Sequence, residues 1–289
     1  MAIGGCIIDT VDLAAYGIFI ERGGSDDFLS FPERRIPDFN DWEEYDGLDV
    51  DLSELSFEAK KVQVKYVVTS DDESAFKHYL NSFEALHFAP GYRSVFVREF
   101  NRTFQLRFTG FSSYSHKGGL YMHAKKMGKI TAEYSMDDPL QFFTPAILSP
   151  ISTRETLSQI ALNGYDLSRF GIIVRDIYST ALRSRSAKPV LERKINHITG
   201  LAADTGLIPK RQARIIEIQC AMIARTFAEF MTNWNALFNN LRITVPVQLG
   251  VTRTGSVLNC YYSKMTNFKK EASFSRKVKV SFNLILQEI

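Results

Sequence analysis

Residues 61–68, KVQVKYVV, alternate apolar and polar positions, which is the period of a half-buried strand with Val62, Val64 and Tyr66 on its inner face. The same alternation returns 154 positions later in IIEIQC, as Ile216, Ile218 and Cys220. After the first strand comes SDDESAFKHYLNSFEAL, where Ser70 and Glu73 have the spacing of a capping box. Phe76, Tyr79, Leu80 and Phe83 then fall at i, i+3, i+4 and i+7, one face of a helix. Phe227, Phe230, Met231 and Trp234 repeat that spacing at an offset of 151, so three residues are missing between strand and helix in the second half. Both stripes read as core. RSVFVREF (93–100) and FQLRFTGF (104–111) flank a short turn and predict a hairpin; LRITVPVQLG and SVLNCYYSKM answer them around VTRTG. Each series closes on one more strand, KMGKITAEYSM (126–136) and RKVKVSFNLIL (276–286), at an offset of 150.

An opening motif precedes each series. VDLAAYGIFIER (11–22) and YDLSRFGIIVRD (165–176) share Asp12/Asp166, Leu13/Leu167, Tyr16/Phe170, Gly17/Gly171 and Ile18/Ile172. Four matches in one order, at nearly constant offset, imply a tandem duplication of a unit of about 125–130 residues, an ordinary domain size. The expected organisation is a first domain over 1–139, a linker over 140–164 with one short amphipathic piece, and a second domain over 165–289. The expected fold is mainly β: two antiparallel barrel or sandwich domains, each with one flanking helix. Tyr16, Gly17, Phe76 and Phe83, with Phe170, Gly171, Phe227 and Trp234, form the core of the repeat.

Composition narrows the function classes. The chain has 289 residues, 45% of them hydrophobic, and no apolar run approaches the roughly 20 residues of a membrane span. The N-terminus lacks the basic and apolar regions of a secretion signal. Cys6, Cys220 and Cys260 are too few and too scattered for a disulfide framework, and read as buried thiols. Charge is uneven: residues 1–148 hold 15 Lys/Arg against 23 Asp/Glu, and residues 149–289 hold 20 against 9. Such asymmetry suits nucleic acid on the basic half, or head-to-tail contact between copies. His78, His87, His116, His123 and His197 stand in no metal-ligand spacing. The carboxylates Asp41, Glu43, Glu44, Asp46, Asp49 and Asp51 lack the spacing of a calcium loop and read as a solvated loop or an intersubunit contact. No nucleophile, phosphate-loop or dinucleotide motif occurs, so neither an enzyme nor a cofactor is expected.

The first 70 residues resemble the opening of phage distal tail proteins. The likeness is carried by Tyr16-Gly17-Ile18, by FPERRIPD with Arg34 and Arg35, by the acidic DWEEYDGLDVD, and by the strand KVQVKYVV. The second copy keeps Pro189 and Arg193 but has no acidic loop. The resemblance implies a structural virion protein at the tail tip, assembled in the host cytoplasm. It would form a homo-trimer or homo-hexamer ring joining the tail tube to the baseplate. Its implied partners are the tail tube protein and the tape-measure and tip or hub proteins, with no membrane. DNA would pass through the channel without specific binding. An acidic first domain would line that channel and the basic second would grip neighbouring proteins. Arg34, Arg35 and the carboxylates of 41–51 are the candidate intersubunit contacts. The alternatives are a two-domain tail tube or injection-system hub component, and a nucleic-acid-binding protein using the basic half and stretches such as GYRSVFVREF.

Overall fold

In both halves the opening motif is a capped turn. The computed structural model describes residues 4–117, 126–146, 148–152, 157–189, 192–193, 196, 199–200, 202–203, 208–271 and 277–289. Asp12 caps a single 3-10 turn, Leu13–Tyr16, its carboxylate accepting from the Ala14 N–H at 3.2 Å. Gly17 ends the turn in the left-handed region at φ 59°, where a Cβ is costly. A Cβ there would also stand 2.2 Å from the Thr69 carbonyl oxygen, while the Thr69 N–H donates to the Gly17 carbonyl at 2.9 Å. The second half has each part too. Asp166 accepts from the Ser168 N–H at 2.8 Å, Gly171 sits at φ 76°, and its Cβ would be 2.7 Å from the Ile223 carbonyl oxygen. Asp and Gly therefore recur for a backbone reason, and the buried Leu13 and Leu167 for a packing one.

The match begins earlier than the sequence reading placed it. Asp9 and Asn163 both take left-handed φ, 48° and 49°. The Asp9 carboxylate accepts from the Ser94 N–H at 2.7 Å, and the Asn163 side chain accepts from the Gln248 N–H at 2.9 Å. Asp and Asn tolerate this conformation and bond locally, so D and N are equivalent letters here.

The first half runs β1 (Cys6–Ile8), β2 (Val11–Asp12), β3 (Ile18–Ile20), β4 (Phe39–Asn40), β5 (Asp49–Val50), β6 (Lys60–Ser70), α1 (Glu73–Phe88), β7 (Arg93–Val97), β8 (Arg102–Lys117) and β9 (Lys126–Met136). The second runs β10 (Ile160–Leu162), β11 (Tyr165–Asp166), β12 (Ile172–Asp176), the one-turn α2 (Tyr178–Ala181), β13 (Glu192–Arg193), β14 (Ala202–Ala203), β15 (Ile215–Ala224), α3 (Phe227–Leu241), β16 (Val247–Val251), β17 (Ser256–Lys270) and β18 (Val278–Glu288). The fold is mainly β. One seven-stranded sheet has the order β2-β1-β7-β8-β9-β6-β3, and the other β11-β10-β16-β17-β18-β15-β12. The orders are identical once each strand is replaced by its counterpart. Among the described residues the paired strands run antiparallel, from Arg93↔Leu106 in the first hairpin to Val247↔Cys260 in the second.

Each sheet carries its helix on aromatic contacts. Phe83 of α1 meets Tyr66 of β6 edge-on at 5.0 Å, and Trp234 of α3 meets Phe282 of β18 at 5.0 Å. Phe76 and Phe83 are buried, as are Phe230 and Trp234; Tyr79, Leu80, Phe227 and Met231 are half-buried. Tyr16 packs edge-on against Tyr79, and Phe170 is fully buried. Helix α3 is buried well beyond one stripe, because the segment before β10 crosses it. The Asn233 side chain accepts from the Ile151 N–H at 2.8 Å, and the Asn239 amide donates to the Ala146 carbonyl at 2.7 Å.

Two local expectations change. Strand β6 runs on to Ser70, so α1 starts later, with Asp72 as its cap accepting from the Ala75 N–H at 2.8 Å. Glu73 pairs instead with Lys77 and Lys126. The stretch expected as linker supplies structure at both ends. Phe142 lies parallel to Phe104 in the first core, and Ile160–Leu162 is strand β10. Residues 147 and 153–156 of that stretch, with His123 and His197, lie outside the described residues. Among the described residues no helix is long and apolar enough to cross a membrane.

The chain divides into two compact units, each built from three segments. Unit 1 comprises Met1–Glu33, Phe57–Pro145 and Phe268–Phe274; unit 2 comprises Arg34–Ser56, Ala146–Asn267 and Ser275–Ile289. Each half of the sequence thus gives a segment to the other unit. The exchange gives the two units a charge balance different from that of the two sequence halves. Segment 34–56 holds 2 Lys/Arg against 8 Asp/Glu, and it belongs to unit 2. Unit 1 then carries 15 against 16, and unit 2 carries 20 against 16. The first unit is nearly neutral, so its charge gives no ground for placing it along a DNA channel.

Candidate assembly segment

Segment 34–56 holds all eight candidate contact residues. Its base is a two-rung ladder: the Glu58 N–H donates to the Glu33 carbonyl at 2.9 Å, and the Arg35 N–H to the Ser56 carbonyl at 3.0 Å. Beyond the base, β4 and β5 pair at Phe39↔Val50 and Asn40↔Asp49, and Leu52 is buried.

Arg34 is an internal anchor, not an exposed contact. It is 3% exposed. Its N–H donates to the Ser263 carbonyl at 2.8 Å, Nη1 to the Ile243 carbonyl at 3.2 Å and Nη2 to the Glu54 carbonyl at 3.3 Å. The guanidinium also lies over the Tyr261 ring, 5.6 Å from its centroid. Burial pulls its pKa down, opposed by Tyr261. Arg fits such a site because its planar fork reaches two carbonyls while its face stacks on a ring.

The acidic loop closes around a lysine that sequence reasoning passed over. Lys188 is 4% exposed, and its ammonium reaches the Asp41 carboxylate at 2.5 Å and the carbonyls of Trp42 and Gly47 at 2.7 Å each. An ammonium has three donors, and these three acceptors match them. Nearby, Asp46 accepts from the Arg211 N–H at 2.6 Å, and the Gly47 N–H donates to the Arg211 carbonyl at 2.9 Å. Gly47 sits at φ 75°, and a Cβ there would lie 2.9 Å from the Ile289 backbone. Asp49 accepts from the Trp42 indole at 3.4 Å. Asp51 accepts from the Ser53 N–H at 2.9 Å, and bonding to Ser53 lowers its pKa. Arg35, Glu43, Glu44, Asp49 and Asp51 are exposed. The structure therefore ties Arg34, Asp41 and Asp46 to residues elsewhere in unit 2, while Arg35, Asp49 and Asp51 bond within the segment and Glu43 and Glu44 are exposed.

Lys188 had a faint signal. It stands 153 positions after Arg35, close to the offset of the repeat. The ladder at the base of 34–56 has a counterpart there: the Gln212 N–H donates to the Ser186 carbonyl at 2.8 Å, and the Lys188 N–H to the Lys210 carbonyl at 2.7 Å. Between those rungs the second half makes its own excursion, 188–210, with β13 paired to β14.

The reciprocal segment, 268–274, is anchored in unit 1 by charge. Lys270 is held by Glu99 at 2.5 Å, and its N–H donates to Asp26 at 2.9 Å. Glu99 also accepts from the Ser25 hydroxyl at 3.0 Å. Burial raises the Asp26 pKa against the pull of Lys270.

No family model matches the chain, and no curated protein matches it. Among solved structures it is similar to the SPP1 Dit (gp 19.1) protein, described as a paradigm of the hub adsorption apparatus in phages that infect Gram-positive bacteria. The similarity spans 99% of each chain at 9% sequence identity, with a TM-score of 0.36. At that score the likeness bears no weight.

Proposed function

We propose that this chain is a structural virion protein of a phage tail tip, a tandem duplication whose copies form a ring joining the tail tube to the baseplate or tip. The observation that carries the reading is the pair of sheets with one strand order, each unit completed by a segment from the other half. A surface that accepts a like unit's segment is what head-to-tail assembly needs, and a closed ring leaves none of those surfaces unused. The tail-tip placement rests on the sequence resemblance over Tyr16-Gly17-Ile18, Arg34-Arg35 and the acidic loop. Copies of the chain, the tube protein and the tape-measure and tip proteins are the partners in this reading, with DNA passing through unbound. Light scattering of the purified chain tests assembly: a discrete mass of three or six chains supports the ring, and a monomer at every concentration and salt opposes it. Immunogold labelling of virions tests placement, with label expected at the distal end of the tail.

The nucleic-acid reading loses its main support, because the acidic segment 34–56 lies on the basic half. Salt-dependent binding of the chain to DNA would restore it.

A further inference from the structure

Unit 2 has a surface that receives segment 34–56; strand register locates the same surface on unit 1. Arg93↔Leu106 and Val247↔Cys260 are equivalent rungs of the two hairpins. Continuing from them, Arg107 and Thr109 stand where Tyr261 and Ser263 stand, and the α1–β7 connection stands where the α3–β16 connection carries Ile243. Tyr261, Ser263 and Ile243 are the three places that hold Arg34. On unit 1 this surface exposes aromatic side chains beside an ion pair. Phe88 is 70% exposed, whereas Leu241, the last residue of α3, is fully buried. Tyr92 is 52% exposed, its hydroxyl donating to Asp137 at 2.7 Å, and Asp137 is gripped by Arg107 at 2.9 Å. The pairing of β8 with β9 shifts register between Phe108 and Gly110, at the counterpart of the Ser263 contact.

We propose that this Phe88–Tyr92–Arg107 surface seats the 188–210 excursion of a second copy of the chain. The excursion opens on a ladder equivalent to the one at the base of 34–56, so it holds the equivalent place in the second half of the chain. Its sequence suits exposed aromatic side chains: it carries Val190, Leu191, Ile195, Ile198, Leu207 and Ile208, and 4 Lys/Arg against 2 Asp/Glu. Ile208, at its base, is 83% exposed. The two contacts then differ in kind. Within unit 2 an acidic segment closes on Lys188; the joint between chains closes an apolar segment on aromatic side chains. That difference keeps each segment from the other's seat, as specificity requires.

The proposal deepens the ring reading, since it needs like chains as neighbours, and its test separates the two. Chains bearing Phe88→Cys and chains bearing Ile208→Cys are prepared apart and mixed under mild oxidation; Cys6, Cys220 and Cys260 are buried and do not compete. A disulfide-linked dimer is expected in the mixture and in neither chain alone. Separately, the Phe88→Ser/Tyr92→Ser chain is expected to fall to monomer mass with its circular-dichroism melt unchanged. Failure of the cross-link, or a double variant that assembles like the parent, overturns the joint. A chain that cross-links as expected but is absent from purified virions overturns the tail-tip function and leaves the joint standing.

Discussion

Gly17 shows how much one residue carries. Its φ of 59° and the Thr69 carbonyl 2.2 Å from any Cβ combine two penalties. Gly255, at φ 64° with nothing within 4 Å, carries only the first. Gly17→Ala is expected to cost about 2–3 kcal/mol and Gly255→Ala about 1, compared by urea unfolding. His87 is a second such residue. It is buried in unit 1, with Nδ1 2.7 Å from the Phe83 carbonyl and Nε2 beside the Tyr134 hydroxyl. Burial pushes its pKa from 6.5 to about 4. The unfolded chain therefore binds this proton first as pH falls. Stability from His87 is complete above about 6.5 and is lost as pH falls toward 4, by up to about 3 kcal/mol. Urea midpoints measured between those pH values should fall more steeply for the parent than for His87→Phe. The Gly17 role was legible in the repeat, because a left-handed turn demands one residue type. His87 read as an ordinary histidine, since burial by Tyr66, Phe108 and Tyr134 arises only on folding.

At the scale of elements, α3 and the acidic segment behave differently from their sequence patterns. Periodicity showed one apolar face on α3, yet Asn233, Asn235 and Ala236 are buried too, where Ala146 and Ile151 bond to the helix. Trp234→Ala should cost about 3–5 kcal/mol by calorimetry, more than Phe76→Ala on the less enclosed α1. The run from Asp41 to Asp51 looked solvated, and its carboxylates are exposed. Its backbone, however, is tied to Lys188. Lys188→Met removes the ammonium from two carbonyls and a half-exposed carboxylate, at an expected cost of about 1–3 kcal/mol. Limited proteolysis should then cut within 41–47 several times faster, with the rest of the chain protected. Sequence periodicity could not reveal this, because a lysine 141 positions beyond Gly47 has no pattern linking it to the loop.

For the whole molecule, exchange of segments rewrites the charge map. The halves of the sequence are acidic and basic, while the folded units are near balance. Assembly should therefore be only modestly salt-sensitive, since screening weakens exposed charges far more than buried apolar contact. Light scattering at low and moderate salt should give the same mass. Dissociation at moderate salt would instead place exposed charge, such as Glu43 and Glu44, at the joint between chains.

By itself the sequence determined the mainly β class, the order of strand, helix, hairpin and closing strand in each half, and the turn glycines. These are local: a period of two, a period of 3.6 or a left-handed residue is written within a dozen positions. Tertiary structure alone decided which unit owns 34–56 and 268–274, that Arg34 is an anchor, and that Lys188 organises the acidic loop. Those facts depend on residues far apart in the chain meeting through backbone carbonyls, which every residue carries and no side-chain pattern records.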